Sequence, residues 1–247
     1  MKHQFLLASV VFLLPAAALS AAQDASPLTA GEVVERMVQR DAQRQILTQG
    51  YEGMRRYVLE NTGMHKHAEM LVRVTGDSDG NKHFEVLSEQ GWKAAQKHVL
   101  RKMLESESQT SGPEARAKTR LCPDNYEFLM VGLENVGDRA AYAIDVTPKR
   151  RDKYLFAGRI WVDAEDYALV RADGNPAKNP SFWTKRVHFV HTYQKNGLFW
   201  FPLCTESITD ARIFGRTDLT IEYFDYKPNA TKVADGMAMT GQGFRQQ

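Results

Sequence analysis

The sequence predicts a mainly β (α+β) protein, an antiparallel, unclosed half-barrel of about ten to eleven strands with helices covering its concave face. Three observations lead there. Residues 154–226 hold β-branched and aromatic runs separated by short turn signals, with no helical period. Amphipathic helical spacing occurs in two stretches, both in the N-terminal half. So many strands in series cannot lie flat without exposing edges or curling, and a strongly curved sheet with helices in its concavity satisfies both constraints.

The chain opens with Lys2 and His3, an apolar run over residues 5–14 and a small-residue stretch over residues 16–22, the layout of a secretory signal peptide. The apolar run is about half of the roughly 20 residues that span a bilayer, so a cleaved leader over residues 1–22 is expected, with the mature N-terminus between Ser20 and Asp24. Export to the periplasm is the expected destination. Lys and Arg number 32 against 30 acids, and losing Lys2 with the leader leaves 31 against 30, a net charge of +1. So balanced a chain gives no electrostatic case for nucleic acid. A single β domain is expected over residues 23–227, followed by a flexible tail over 228–247, which has no apolar period.

Within the domain, Thr29 and Glu32 form a capping box ahead of Val33, Val34, Met37 and Val38, predicting a first helix over residues 30–44 whose narrow stripe lies on another surface. A strand follows over 51–60. Residues 67–75 alternate cleanly, with Ala68, Met70, Val72 and Val74 on one face, and Phe84 and Val86 return after the turn at 77–81. Trp92, Ala95, Val99 and Met103 are spaced by three, four and four residues, with Leu100 and Leu104 widening the stripe and Lys93, Lys97, Arg101 and Lys102 outside. This predicts a second, basic helix over 92–104. Residues 108–119 read as a loop with a helical turn at 114–118. Strands are expected over 126–133 and 140–147, then a hairpin, 154–163 and 167–171, about the acidic turn Ala164-Glu165-Asp166. A second hairpin pairs 185–193 with 198–208 about Asn196-Gly197, and a final strand over 214–226 sets Leu219, Ile221 and Tyr223 on one face.

Three segments carry a resemblance. They are Tyr154-Leu155-Phe156-x-Gly158-Arg159-Ile160-Trp161-Val162-Asp163-x-Glu165-Asp166-Tyr167, Asn179-Pro180-Ser181-Phe182-Trp183, and Ser207-x-Thr209-Asp210-x-Arg212-Ile213-Phe214-Gly215 followed by Leu219-x-Ile221-x-Tyr223. Together they are similar to the bacterial outer-membrane lipoprotein-sorting proteins with a LolA-like fold. The likeness covers residues 126–227 and extends more loosely to the helices before them. It implies an unclosed barrel whose hydrophobic concavity holds acyl chains or other lipophilic cargo. The implied partners are lipoprotein acyl chains or lipid, together with inner- and outer-membrane transport components.

Candidate chemistry is sparse. His65 and His67 share a strand face with no third metal ligand nearby, and His188 and His191, three apart, point to opposite faces. Asp77, Asp79, Gly80 and Asn81 echo a calcium loop that lacks its final Glu, because residue 88 is Ser. Asp163, Glu165 and Asp166 are expected to be exposed turn residues of ordinary acidity. Nucleophile elbow, phosphate loop and dinucleotide fingerprint are all missing. Accordingly no catalytic residue, metal or cofactor is expected. Cys122 and Cys204 would bond in an oxidising compartment if their Cα atoms lie within about 7 Å, so a disulfide and two shielded thiols both stay open.

The expected site is an apolar cavity with a helical lid. Its floor is Met70, Val72, Val74, Phe84 and Val86 with Phe189, Leu219, Ile221 and Tyr223, and its lid is Trp92, Val99, Leu100 and Met103. The expected function is a periplasmic carrier of a lipophilic ligand. The alternative is an envelope regulatory module that binds a partner protein through the same fold.

Overall fold

Period-two alternation carries ten strands in the computed structural model, which describes residues 27–181, 184–212 and 215–229. The expected leader, most of the expected tail, and Phe182, Trp183, Ile213 and Phe214 lie outside the described residues. The strands are β1 (Tyr51–Asn61), β2 (Lys66–Gly76), β3 (Lys82–Gly91), β4 (Tyr126–Val136), β5 (Arg139–Pro148), β6 (Phe156–Asp163), β7 (Leu169–Pro176), β8 (Thr184–Asn196), β9 (Phe199–Ala211) and β10 (Gly215–Pro228). All join one antiparallel sheet in the order β3-β2-β1-β10-β9-β8-β7-β6-β5-β4. β3 and β4 are its two edges and do not pair, so the half-barrel is unclosed, as expected from the sequence. Register shifts at Leu71/Val72, Met130/Gly132 and Thr192/Tyr193 insert bulges, which bend and twist a sheet of this width.

The link from β3 to β4 must run from one edge of the sheet to the other, and it carries most of the helix. It comprises α2 (Lys93–Ala95), a π-helical turn (Gln96–Leu100), α3 (Arg101–Thr110) and α4 (Pro113–Ala117). The remaining helix, α1 (Ala30–Thr48), starts at the expected capping box: Thr29 Oγ1 accepts from the Glu32 amide, and the Glu32 carboxylate accepts from the Thr29 amide at 2.8 Å.

Two separate cores result. Under α2 and α3, Met70, Val72 and Val74 of β2 pack with Tyr57, Leu59, Ile221 and Tyr223 against Ala95, Leu100 and Leu104. Under α1, Val33, Val34 and Met37 pack on Tyr126, Ile144, Val146, Ile160 and Val162 of β4, β5 and β6. The convex face carries cross-strand ion pairs, such as Arg56 with Glu69 at 2.8 Å and Arg159 with Asp145 at 2.7 Å.

Three sequence expectations need correcting. The second helix continues to Thr110, and Val99 is 40% exposed rather than on the inner face, because the π turn inserts one residue and passes the buried stripe to Gln96, Leu100 and Leu104. Asp163 is not an exposed turn residue: it is 1% exposed and gripped by Arg139, with Nη2 donating at 2.8 Å. The Glu165 and Asp166 amides also donate to it, at 3.1 and 2.7 Å. Burial alone would raise its pKa, but these donors hold it below the ordinary value. Phe189 lies apart from the β2–β3 core and meets Phe156 edge-on at 5.3 Å. Of the two alternatives left open for Cys122 and Cys204, the structure has free thiols, Cys122 in the turn before β4 and Cys204 within β9 beside Thr192 and Glu222.

Candidate functional site: a cleft between two helix-covered cores

Because α1 sits over one end of the sheet and α3 over the other, the inner face of β8 between them opens into a cleft. Its floor is an aromatic strip at every second residue of β8, Phe189, His191 and Tyr193, with ring centroids 5.3 and 6.5 Å apart. On the α1 side is a cavity of about 490 Å³, bounded by Met37, Asp41 and Gln45 of α1 and by Tyr126, Leu155 and Phe156. On the α3 side is a second of about 430 Å³, reaching Tyr51, Arg55, Phe201, Tyr223 and Tyr226. Asp41, Gln45, Arg116, His191 and Tyr193 line both, so the two are lobes of one space. Each lobe has the size of a small-molecule site.

The α3 wall is fastened by charge. Arg55 is 2% exposed on the inner face of β1, and Glu107 of α3 accepts from its two Nη atoms at 2.8 and 3.2 Å. Arg55 Nε donates to the Tyr226 hydroxyl at 2.9 Å, and Lys82 Nζ donates to Glu107 at 2.7 Å. Burial pushes the Glu107 pKa up, but Lys82 and Arg55 overcome it and hold the carboxyl at about 2. Ser108 and Ser111 add hydrogen bonds to the backbone of Lys82 at 2.9 Å each, so the C-terminal end of α3 is pinned to the start of β3. The π turn ahead of α3 is held by Gln96, whose amide donates to the Gln90 carbonyl at 2.6 Å.

His191 faces this group from the cleft floor. It shares a 2.6 Å hydrogen bond with Thr205 Oγ1, which in turn meets the Tyr223 hydroxyl at 3.0 Å. Burial pushes the His191 pKa down to about 4, and Lys82 and Arg55 push the same way against Glu107. The imidazole is therefore neutral at pH 7, and the floor stays uncharged.

Of the residues expected at the site, Phe189 and Tyr223 line the cleft. Met70, Val72, Val74, Leu100 and Ile221 are packed in the α3-side core, with Phe84, Val86, Trp92, Met103 and Leu219 partly buried against it. The cavity thus lies beside the residues expected to form its floor. Sequence reading passed over Arg55, Glu107, Arg116 and Tyr193. The signal for Arg55 was present: it is the one charged residue in the inward set Gly53, Arg55, Tyr57, Leu59 and Asn61 of β1.

Other candidates resolve into surface chemistry. His67 pairs with Glu60 at 2.5 Å and His188 with Asp173 at 3.3 Å. Asp166, expected as an exposed turn residue of ordinary acidity, is instead half-buried: burial would raise its pKa, but Lys195 and Trp200, at 2.7 and 3.0 Å, hold it below the ordinary value. Among the described residues no cluster of three or more His, Cys, Asp or Glu is placed to hold a metal, and no helix is long and apolar enough to cross a membrane.

Residues 90–179, the stretch from the end of β3 through β7, match the family model of the MucB/RseB N-terminal domain. No curated protein matches the chain. Among solved structures the chain is similar to a LolA superfamily protein from Nitrosomonas europaea, at 10% identity over 81% of this chain and 94% of that one, with a TM-score of 0.43. It is similar as well to a domain described as an outer membrane lipoprotein-sorting protein, from Vibrio parahaemolyticus, at 12% identity over 84% and 97% of the two chains, TM-score 0.42. A third likeness is to a chain of the Pseudomonas aeruginosa MucA/MucB complex, at 11% identity over 81% and 98%, TM-score 0.29.

Proposed function

We propose that this chain is a periplasmic binding protein that carries a lipophilic ligand, such as lipoprotein acyl chains or a lipid, in the cleft above β8, and that it is not an enzyme. The observation that carries the reading is the cleft itself: an aromatic floor left open between two helix-covered cores. A filled barrel would bury that strip in one continuous core. Against catalysis stands the state of the acids. Asp163, Asp166 and Glu107 are each paired with cations that keep them ionised, so none is poised to donate a proton.

The wall formed by α2 and α3, with Trp92, Leu100 and Met103 facing the sheet, serves as the cover, and the Arg55–Glu107 pair sets how readily it lifts. Organic extraction of the purified protein followed by mass spectrometry tests the reading. Co-purifying lipid at near-stoichiometric amounts is expected; protein that carries none, and takes up none from vesicles, overturns it.

A second reading is a partner-binding regulatory module. It is favoured by edge strand β4, which lies within the family match and exposes Leu129 and Leu133 to 68% and 61%. An unpaired edge with exposed apolar side chains can accept a strand from another protein. A stable protein partner in place of lipid, lost on Leu129→Lys, is the outcome that would favour it.

A further inference from the structure

The mouth of the cleft is charged in one sense. Six cationic side chains line its two lobes, Arg116 where they join, Arg120 and Lys153 in the α1-side lobe and Arg44, Arg55 and Lys82 in the α3-side lobe, against the carboxylates Asp41, Asp77 and Glu107. The difference is +3, whereas the whole chain sums to +2, so the cleft concentrates more positive charge than the molecule carries overall. Glu107 is already engaged by Arg55 and Lys82, which leaves the α1 side with the excess.

Arg116 stands where the two lobes meet and is held there in a set orientation. Its Nη2 donates to the Asp79 carbonyl at the tip of the β2–β3 hairpin. Oriented with its oxygen toward the guanidinium, the Gln45 amide accepts from Nη2 and Nη1 at 3.1 and 3.3 Å. Gly80, with φ of +84°, lies against the guanidinium so closely that a Cβ there would come within 2.4 Å of it. Three buried side-chain nitrogen or oxygen atoms among the described residues lack a hydrogen-bond partner, and two of them belong to residues lining this cleft: Arg116 Nε, and Arg44 Nη1, which has only a long ion pair with Asp41 at 4.0 Å. A buried cationic donor without an acceptor is costly, and an oxyanion brought into the cleft would relieve that cost.

We propose that the cleft selects an anionic amphiphile, with the alkyl chain on the Phe189–His191–Tyr193 strip and a carboxylate or phosphate headgroup at Arg116, flanked by Arg44, Arg120 and Lys153. The inference rests on the lipophilic-ligand reading and adds the headgroup to it. The floor suits a chain because both of its titratable rings are uncharged at neutral pH, with burial pushing the His191 pKa down to about 4 and that of Tyr193 up to about 12. The wall suits an oxyanion because guanidinium donors are fixed before binding, so little side-chain freedom is lost on capture.

The test uses the purified full chain, stripped of lipid, and two fluorescent probes that differ only in charge, dansylaminoundecanoic acid and its methyl ester. The acid is expected to bind at least about tenfold more tightly than the ester, the worth of one charge-assisted hydrogen bond. Arg116→Gln keeps hydrogen-bonding capacity toward Asp79 and Gln45 while removing the charge, and should erase most of that difference without weakening the ester. Arg120→Gln, an exposed position away from the hairpin contact, should erase part of it and guards against a folding artefact. Dodecyl phosphate should displace the acid probe, whereas inorganic phosphate at the same concentration should not. Equal binding of acid and ester overturns the headgroup assignment and leaves the carrier reading standing. Displacement by inorganic phosphate alone overturns the need for a chain. Binding of neither probe overturns both.

Discussion

Glu107 and His191 face one another across the α3 side of the cleft, and their acidities shift stability in different pH ranges. Glu107 has a folded pKa of about 2 against an ordinary carboxylate value near 4.5, so its contribution is fully present above that ordinary value and is lost as pH falls through the range below it. His191, a base depressed from 6.5 to about 4, contributes fully above 6.5 and loses its contribution as pH falls from 6.5 to 4. The two windows barely overlap, which makes them separable. Denaturant titrations at about pH 7.5 and about pH 5 should show wild-type protein weakening, and His191→Phe should flatten that change while leaving the acid limb below about pH 4 in place. Glu107→Gln leaves Arg55 buried without its carboxylate; since the Glu107 side chain keeps 34% exposure, the expected loss is about 1 to 3 kcal/mol rather than the larger cost of a sealed pair.

The elements show where the sequence was legible and where it was not. Strands of strict alternation, such as β2 with Ala68, Met70, Val72 and Val74 inward, were readable because a one-residue slip would turn every one of those side chains to solvent. Helix α1 was readable from its capping box and stripe. The helix after Trp92 was readable as a helix but not in its register, since a π turn has no compositional signature and depends on how the segment meets β2 and β3. Leu100→Ala should therefore cost about 2 to 5 kcal/mol, because Leu100 is fully buried in the α3-side core, while Val99→Ala should stay within about 0.5 kcal/mol of wild type. The reverse order in thermal or denaturant melts would return the register to the plain α-helical spacing. The cleft itself was illegible for a related reason: its lining comes from α1, α3, α4, β1, β3, β4 and β6 to β10, and no single element carries the pattern. Asp163 was misread because burial of a turn carboxylate is set by a distant cation, Arg139 on β5.

At the scale of the molecule, the two cores share no buried residue and are joined across the sheet at β7 and β8. That seam is short: the β7–β8 ladder registers four residue pairs, from Arg171 with Thr192 to Gly174 with Phe189, whereas β8 and β9 register from end to end. Cys122 precedes β4 on one side and Cys204 lies in β9 on the other, both free, so no covalent tie crosses the seam; thiol titration of the denatured, unreduced chain should count two per molecule. Few backbone hydrogen bonds and no shared core make the seam the weakest line in the half-barrel, and the cleft lies directly over it. Destabilisation of one half should then stay in that half. Met37→Ala removes a buried side chain from the α1-side core at an expected cost of about 2 to 5 kcal/mol. In native-state hydrogen exchange it should lower the protection of β4 to β7 while β1, β2, β9 and β10 keep theirs. Equal loss across all ten strands would mean that the sheet unfolds as one unit, and that the cleft opens by lifting a helix rather than by hinging at the seam.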